Sequence, residues 1–254
     1  MGKKTAVITG ASAGLGREFL RAIPMYFPEI EEYWLISRSR EKLEDAAKNI
    51  TGADVKIFPL DLSSKDSYAL LEREYDMLKP EIALLINNAG CGFLGNVGDG
   101  ELERQSAMIE LNLGGLTAVT HLTVPYMVRG SKIINISSIA SFCPNPRMTV
   151  YSATKSFVTA FSLGIGEELK ERGITSTAVC PGPMDTDFIV AGGIKGQSKA
   201  FDRLPYCSPE KVARGALKAA KKGRSVWTPT FFYKFYRLVA KLVPVKLMMK
   251  AAKT

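Results

Sequence analysis

Three side chains between residues 138 and 155 could together transfer a proton to or from a carbonyl oxygen. Tyr151 and Lys155 are four residues apart, so on a helix they lie on one face. A free tyrosine has a pKa near ~10, and a neighbouring ammonium favours the phenolate and lowers that pKa. Ser138 follows the apolar, strand-like run 133–136. A strand end followed by a helix can place its hydroxyl opposite the phenol, with room for a carbonyl oxygen between them.

The Tyr-x-x-x-Lys spacing is weak evidence by itself, because Tyr75 and Lys79 repeat it. Ser138 lies thirteen residues before Tyr151, whereas the residue thirteen before Tyr75 is Leu62, which has no hydroxyl. The charged stretch around Tyr75 is typical of the solvent-exposed face of a helix. We therefore expect chemistry at Tyr151 and none at Tyr75.

A strand, a glycine turn and a helix open the chain and must position a ligand near these residues. The run 5–9 is strand-like, Gly10-x-x-x-Gly14-x-Gly16 follows at once, and a helical pattern starts at Arg17. Glycines let the backbone approach a ligand closely, and the free N–H groups of a helix N-terminus face an anion. The spacing differs from the common G-x-G-x-x-G, but the strand and helix context predicts a phosphate site.

The end of the second strand indicates which cofactor this site prefers. NAD-binding units often have an acidic residue there for the ribose 2′-hydroxyl, whereas this chain has Ser37 and Arg38 at the end of the strand 33–37. An arginine can pair with a 2′-phosphate in a charge-assisted hydrogen bond. We therefore expect NADP(H). Asp61, after the third strand 55–59, could reach the adenine edge.

Two further polar features lie in apolar surroundings. The all-apolar run 82–86 is typical of a parallel strand covered on both faces, and it ends in Asn87-Asn88-Ala89-Gly90. Such sheets bind ligands at the carboxyl ends of their strands. Asn112 lies in a long helical pattern from about residue 101 to 128, and a buried asparagine there needs a hydrogen-bond partner.

The composition excludes several classes of protein. The chain has 254 residues, 46% of them hydrophobic, and no apolar run approaches the ~18 residues of a membrane span. A signal peptide is not expected, and four scattered cysteines without a Cys-x-x-Cys pair suggest reduced thiols in the cytoplasm. The single histidine, His121, is expected to be packed or at an interface rather than catalytic. No metal site and no Ser-His-Asp triad are expected.

The net charge of +9 is concentrated in the C-terminal part of the chain. After Glu210 there are twelve basic residues and no acidic one, so the basic character does not belong to the site, and we expect no nucleic-acid partner. We expect one domain, 1–227, with a basic, apolar extension, 228–254. The extension could pack on the body or on a second subunit, lie on an anionic membrane, or guard the access of an apolar substrate. Pro244 would break any long helix in it.

Prolines and glycines also predict where helices end, where a loop lies and where a later helix begins. Pro24 and Pro28 should end the first helix early, and residues 187–207 suggest a mobile loop over the site. Ser208 and Pro209 should open a helix.

Taken together, these motifs resemble the short-chain dehydrogenase/reductase family over roughly residues 3–227. The matching residues, in the family's order, are Thr9, Gly10, Gly14, Gly16, Asp61, Asn87, Asn88, Ala89, Gly90, Asn112, Ser138, Tyr151, Lys155, Pro181 and Gly182. The resemblance implies an α/β fold with a single Rossmann-type, doubly wound, mostly parallel sheet of about seven strands and helices on both faces. It also implies a homodimer or homotetramer.

The resemblance implies a role for each site residue. Tyr151 would be the general acid or base, Lys155 would lower its pKa and hold the nicotinamide ribose, and Ser138 would bind the substrate oxygen. Asn112 would shape a backbone bulge that holds water in a proton relay to Lys155. The cofactor-binding residues would be Gly10, Ser12, Gly14, Leu15, Gly16, Ser37, Arg38, Asp61, Leu62, Asn88, Ala89, Gly90, Tyr151, Lys155, Pro181, Gly182 and Thr186.

The sequence predicts the type of reaction, but it leaves several classes of substrate open. The apolar extension resembles reductases of apolar ketones, so we expect the interconversion of a secondary alcohol and a ketone on a substrate such as a hydroxysteroid or bile acid. The alternatives are long-chain 3-ketoacyl or sphingoid-type lipids, or a non-catalytic protein that senses the cofactor.

Overall fold

The computed structural model describes residues 2–99, 101–193, 196 and 204–251, with a seven-stranded sheet at its centre. The strands are β1 (Lys4–Thr9), β2 (Glu32–Ser37), β3 (Asp54–Pro59), β4 (Glu81–Asn87), β5 (Met127–Ile136), β6 (Thr175–Val179) and β7 (Val226–Trp227). Their spatial order is β3-β2-β1-β4-β5-β6-β7, and all neighbours are parallel. The order reverses between β1 and β4, where such sheets bind ligands. The predicted Rossmann-type architecture is confirmed.

Helices cover both faces of the sheet. They are α1 (Gly14–Tyr26), α2 (Arg40–Ala47), α3 (Lys65–Leu78), α4 (Leu102–Ile109), α5 (Leu116–Thr123), α6 (Thr149–Glu168), α7 (Asp187–Ala191), α8 (Pro209–Lys221), α9 (Phe231–Leu242) and α10 (Val245–Ala251). Alternate residues of β1 enter different cores, because successive side chains of a strand point to opposite faces. Ile8 packs with α1 and α8, whereas Val7 packs with α3 and α5. This two-sided burial fixes the register of the central strands.

The structure refines several expected boundaries. Strand β5 begins at Met127, earlier than the expected residue 133, because Gly130 has a positive φ of 95° and a register shift against β4 lets the strand continue. Helix α1 ends at Tyr26, between the two prolines that were expected to interrupt it, and Pro24 lies inside its last turn. Ser208 caps α8 by accepting a hydrogen bond from the Lys211 N–H, as expected.

The expected solvent exposure of Tyr75 is wrong. Its side chain is only 1% exposed, and its hydroxyl forms a 2.7 Å hydrogen bond with the Thr123 hydroxyl of α5. The ring lies between Trp34 and Tyr126. The charged neighbours in the sequence occupy the outer face of α3, and Tyr75 faces inwards. It is a core residue far along the sheet from any expected chemistry.

His121 is exposed on α5, so it is not packed against the described part of the chain, and the interface alternative remains a prediction. Residues 194–195 and 197–203 of the expected mobile loop lie outside the described residues. Within the described part of the loop, residues 187–191 form α7.

Helices α9 and α10 close the C-terminal end of the described chain. Val243 and Pro244 separate them, as the proline predicted. Tyr233 of α9 is fully buried in the core that holds α1 and α8. A Cβ atom on Gly182 would lie 2.2 Å from the Tyr233 ring, so the absence of a side chain at Gly182 makes room for the ring. Helix α9 is therefore seated on the main body of the fold.

Candidate active site

A cavity of about 970 Å³ opens along the carboxyl ends of the strands. Of the residues predicted from the sequence, the following line it: Gly10, Ser12, Gly14, Leu15, Ser37, Arg38, Asp61, Leu62, Asn88, Ala89, Gly90, Ser138, Tyr151, Lys155, Pro181, Gly182 and Thr186. Gly16 and Asn112 lie behind the lining and act on it through their neighbours. One space thus joins the glycine turn at one end to the tyrosine, lysine and serine at the other.

The glycine turn is built so that backbone, and not side chains, faces the cavity. A Cβ on Gly16 would lie 2.1 Å from the Gly10 carbonyl oxygen, and one on Gly14 would meet Thr186 at 3.3 Å. Gly10 and Gly14 also have positive φ angles of 63° and 47°. Among the described residues no side chain caps the N-terminus of α1, which begins at Gly14, and the first turn of this helix has no acidic residue. The arrangement leaves a helix N-terminus suited to a phosphate group.

The turn after β4 is tied to the glycine turn by side-chain hydrogen bonds. The hydroxyl oxygen of Thr9 accepts the N–H groups of Asn88 and Ala89, each at 3.0 Å. The Asn88 amide donates to the carbonyl oxygens of Thr9 and Gly10, each at 3.1 Å. These bonds hold the floor of the cavity in one conformation. Asn87 faces away from it and donates to Thr120 and Asn135 inside the protein.

Asn112 lies in a π-helical turn, Glu110–Gly115, inserted between α4 and α5. Its side-chain oxygen accepts the Cys91 N–H at 2.9 Å, and its amide donates to the Cys91 carbonyl and to Thr154. The amide group is thus committed to fixing the turn at residues 90–91. Gly90 lies between the Asn112 side chain and the Lys155 amine. A Cβ atom on Gly90 would be 3.0 Å from the Asn112 oxygen and 3.5 Å from the lysine nitrogen. The structure thus has a π-helical bulge at Asn112, and the water relay from it to Lys155 stays a prediction.

Tyr151 and Lys155 share one face at the start of α6, and Ser138 faces them from the end of β5. The Lys155 nitrogen is 5.7 Å from the centre of the Tyr151 ring and donates a 2.9 Å hydrogen bond to the Ile136 carbonyl. The Ser138 hydroxyl oxygen accepts the Ala140 N–H, and Ser138 also hydrogen-bonds the Tyr151 side chain. All three residues are buried. The geometry brings together the three groups that the sequence predicted.

The expected direction of the Tyr151 pKa is wrong for the structure as described. Burial raises the pKa of Tyr151 to about 12, and the hydrogen bond with Ser138 opposes this shift only in part. Burial also lowers the pKa of Lys155 to about 8. Desolvation therefore dominates the pKa of both groups. Tyr151 holds its proton at neutral pH, and Lys155 lies close to losing its own.

The comparisons with known proteins agree with this geometry. The sequence model of the short chain dehydrogenases matches residues 4–192. The chain belongs to the short-chain dehydrogenase/reductase family. A very-long-chain 3-oxoacyl-CoA reductase of Anas platyrhynchos is 33% identical over 84% of this chain and 67% of that protein. An uncharacterised oxidoreductase of Staphylococcus aureus (strain USA300) is 28% identical over 88% of this chain and 93% of its own length.

Solved structures of other proteins are similar to this short-chain dehydrogenase/reductase over nearly its whole length. A short-chain dehydrogenase from Sphingobium yanoikuyae in complex with NADPH has a TM-score of 0.79 and 26% identity, and covers 97% of this chain and 95% of that one. A single-substitution variant of an actinorhodin polyketide ketoreductase with NADPH has a TM-score of 0.74 and 25% identity, and covers 89% and 95%. The family prediction is confirmed, and with it that the protein is an oxidoreductase.

The far end of the cavity in this oxidoreductase carries the two residues predicted to select the cofactor. Arg38 is exposed on the lining, and the Ser37 hydroxyl oxygen is buried there and has no hydrogen-bond partner among the described residues. Burial alone would raise the pKa of Asp61, but hydrogen bonds from Ser63 and the charge of Arg38 lower it overall. Lys42 adds a second cation to this end. The sequence reasoning missed Lys42, although its place one turn into the helix after Arg38 could have indicated it.

Other lining residues were also missed. Asn145, between Ser138 and Tyr151, has a buried side-chain oxygen without a partner among the described residues. Phe188 packs on the Tyr151 ring at 5.8 Å between ring centres. Tyr236 and Met248 reach the cavity from α9 and α10. Their positions depend on loop and helix packing between distant parts of the chain, for which local sequence patterns give no signal.

Metal ligands and membrane spans are two further features that bear on function. Among the residues that the structure describes, no group of three or more His, Cys, Asp and Glu could hold a metal ion. Across the same parts of the chain, no helix has both the length and the apolar character needed to cross a membrane. The four cysteines are free.

The buried lysine should make the stability of this oxidoreductase depend on pH. The pKa of Lys155 is lower in the folded chain, about 8, than the 10.5 of a free lysine, so the unfolded chain binds more protons between these values. The free energy of unfolding of the wild type should therefore rise between pH 8 and about 10.5, compared with that of Lys155→Met. Below pH 8 the buried charge costs on the order of 1–3 kcal/mol. Urea unfolding at pH 7 and pH 9.5 measures the difference between the two proteins.

The control for this prediction is Lys170→Met. Lys170 is exposed, and its hydrogen bond with Glu167 raises its pKa. The difference in unfolding free energy between the wild type and Lys170→Met is expected to be the same at pH 7 and pH 9.5. A Lys155 difference that stays constant between the two pH values would show that the lysine is not desolvated in the folded protein.

Proposed function

We propose that this protein catalyses the NADP(H)-dependent interconversion of a secondary alcohol and a ketone on an apolar substrate. The observation that carries the proposal is the convergence of Tyr151, Ser138 and Lys155 at one end of a cavity. The other end of that cavity has an uncapped helix N-terminus and Arg38.

The described residues fit NADP(H). Gly10, Gly14 and Gly16 form a backbone cradle that a Cβ atom would fill. Beside it, the buried Ser37 oxygen has no partner among the residues that the structure describes, and Arg38 supplies a positive charge, which suits the 2′-phosphate of NADP(H). Two similar proteins are described in complex with NADPH. When bound, the nicotinamide supplies or accepts the hydride.

The remaining steps fall to side chains of this chain. Tyr151 holds its proton at neutral pH and would donate it to the carbonyl oxygen during reduction, or accept a proton from the alcohol during oxidation. The Ser138 hydroxyl accepts the Ala140 N–H and hydrogen-bonds the Tyr151 side chain in this structure, and with a substrate bound it would donate its proton to the substrate oxygen. Lys155, held by the Ile136 carbonyl, would bind the nicotinamide ribose and favour the phenolate as it forms. Asn112 would keep the turn beside Lys155 in place.

The substrate end of the cavity is mainly apolar. Phe93, Met148, Phe188 and Ile189 surround Tyr151 there, with Met248 from α10. A hydroxysteroid or bile acid would fit such walls, as would a long acyl chain. The second candidate, a long-chain 3-ketoacyl thioester, is favoured by the name of the Anas platyrhynchos relative.

The experiment that tests the function is NADPH oxidation by the purified protein, followed by absorbance. The panel holds keto-steroids and keto-bile acids, long- and short-chain 3-ketoacyl thioesters, sphingoid ketones and aryl ketones, with NADH as the control cofactor. A rate with one class, and a much lower rate with NADH, would support reaction, cofactor and substrate class together. No rate in the whole panel, with tight NADPH binding, would contradict the substrate proposal.

We also propose that the chain forms a homodimer or homotetramer. Helix α6 exposes Phe157 and Leu163, and α4 exposes Leu102 and Ile109. Exposed apolar side chains on neighbouring helices are typical of subunit interfaces. Light scattering after size-exclusion chromatography would give the mass, and a monomer at micromolar concentration would contradict this proposal.

A further inference from the structure

Helix α9 has two different apolar faces. With about 100° between successive residues, Phe231, Phe235, Leu238 and Leu242 fall within one narrow stripe. These four side chains are 82%, 57%, 54% and 76% exposed, which is unusual for large apolar residues. We call them the outer stripe.

The inner face of α9 is packed and lines the candidate active site. Tyr233 is buried, and its hydroxyl donates a 2.6 Å hydrogen bond to the Pro205 carbonyl. Tyr236 lies 6.3 Å from Phe142, ring centre to ring centre, and faces the cavity with Val239. The outer stripe is therefore held on a seated helix, and its exposure is not a consequence of a loose chain end.

Charge lies along one flank of the stripe. Lys234 and Lys241 are exposed there, and Arg237 on the same flank stacks over the Phe142 ring. The opposite flank of the stripe is continuous with the residues that line the cavity. Helix α10 continues the pattern, with Val245 and Leu247 exposed on the outside.

We propose that the outer stripe of α9 and the exposed residues of α10 form a docking surface for an anionic lipid membrane. An apolar stripe with basic residues beside it matches the boundary between acyl chains and negatively charged headgroups. A second copy of this chain is a poorer occupant, because no acidic residue follows Glu210 and a symmetric contact would bring lysines together.

The docking surface and the cavity share one wall. Docking through the outer stripe would place the cavity-lining side of α9, with Tyr236 and Val239, close to the headgroup layer. An apolar substrate could then pass from the membrane to Tyr151 along this helix without crossing water. This second part rests on the proposed function, whereas membrane binding itself does not.

Co-sedimentation with vesicles tests the docking surface without any substrate. We expect the full chain to bind phosphatidylcholine vesicles that contain phosphatidylserine, and to bind pure phosphatidylcholine vesicles weakly. Phe235→Ser with Leu238→Ser should lower binding to the anionic vesicles by about tenfold or more, since both side chains lose their apolar burial. Neither residue lines the cavity, so the rate with a short, water-soluble ketone should stay unchanged.

The matched control is Leu70→Ser with Met77→Ser on α3, where both side chains are also exposed. This control should bind vesicles as the wild type does. The proposal would be overturned if the wild type failed to bind anionic vesicles, or if the α9 and α3 variants bound equally well. It would also be overturned if the α9 variant changed only the oligomeric mass, because the stripe would then be a subunit contact.

Discussion

Tyr151→Phe is expected to lower kcat by about 10²–10⁴-fold and to leave the affinity for NADPH within a few-fold of the wild type. The substitution removes one hydroxyl and keeps the ring, which packs on Phe188 and lies beside the Lys155 amine. Turnover should fall because the proton that the carbonyl oxygen needs is no longer supplied. Steady-state rates and fluorescence titration with NADPH would separate the two effects.

Tyr75→Phe is a close control for this variant, because Tyr75 has the same spacing to a lysine and the same chemical change is made. Its hydroxyl bonds Thr123 in the core, outside the cavity. We expect a loss of about 1 kcal/mol in the free energy of unfolding and no change in kcat. Near wild-type turnover by Tyr151→Phe would contradict the role proposed for this residue.

Arg38→Asp is expected to raise the KM for NADPH by about 10²–10³-fold and to change the KM for NADH little. The arginine is proposed to pair with the 2′-phosphate, and the new carboxylate would instead repel it. The nearby Asp61 adds to the negative charge once the guanidinium is gone. The ratio of kcat/KM for the two cofactors measures the change in preference, and added salt should reduce it.

Arg40→Asp provides the matching control two residues away. Arg40 is exposed, lies in the first turn of α2 and does not line the cavity. The same change of charge there should alter the NADPH preference only slightly. Similar losses for both variants would mean that Arg38 acts through the general field of the surface and not by contact with the phosphate.

Much of the fold could be predicted because its signals are local. The glycine turn after β1, the apolar strands and the cap of α8 depend on neighbours in the sequence. The grouping of Ser138, Tyr151 and Lys155 was also predictable, since one strand end and one helix turn position all three.

The features that the sequence did not predict depend on burial. Charged neighbours made Tyr75 look exposed, because a pattern of charges does not show which residue of an amphipathic helix faces the core. The raised pKa of Tyr151 had the same origin, as desolvation is a property of the assembled site. Asn145 reaches the cavity by the path of a loop, which spacing alone does not describe.

The π-helical turn at Glu110–Gly115 sets a limit on how this protein can change in length. Such a turn holds one residue more than an α-helix would need, and the surplus lets Asn112 reach Cys91 and Thr154 together. Deleting one residue of the turn would let the segment close into a regular α-helix, and Asn112 would then no longer reach Cys91 and Thr154 together. A single-codon deletion here should therefore be far more harmful than most substitutions.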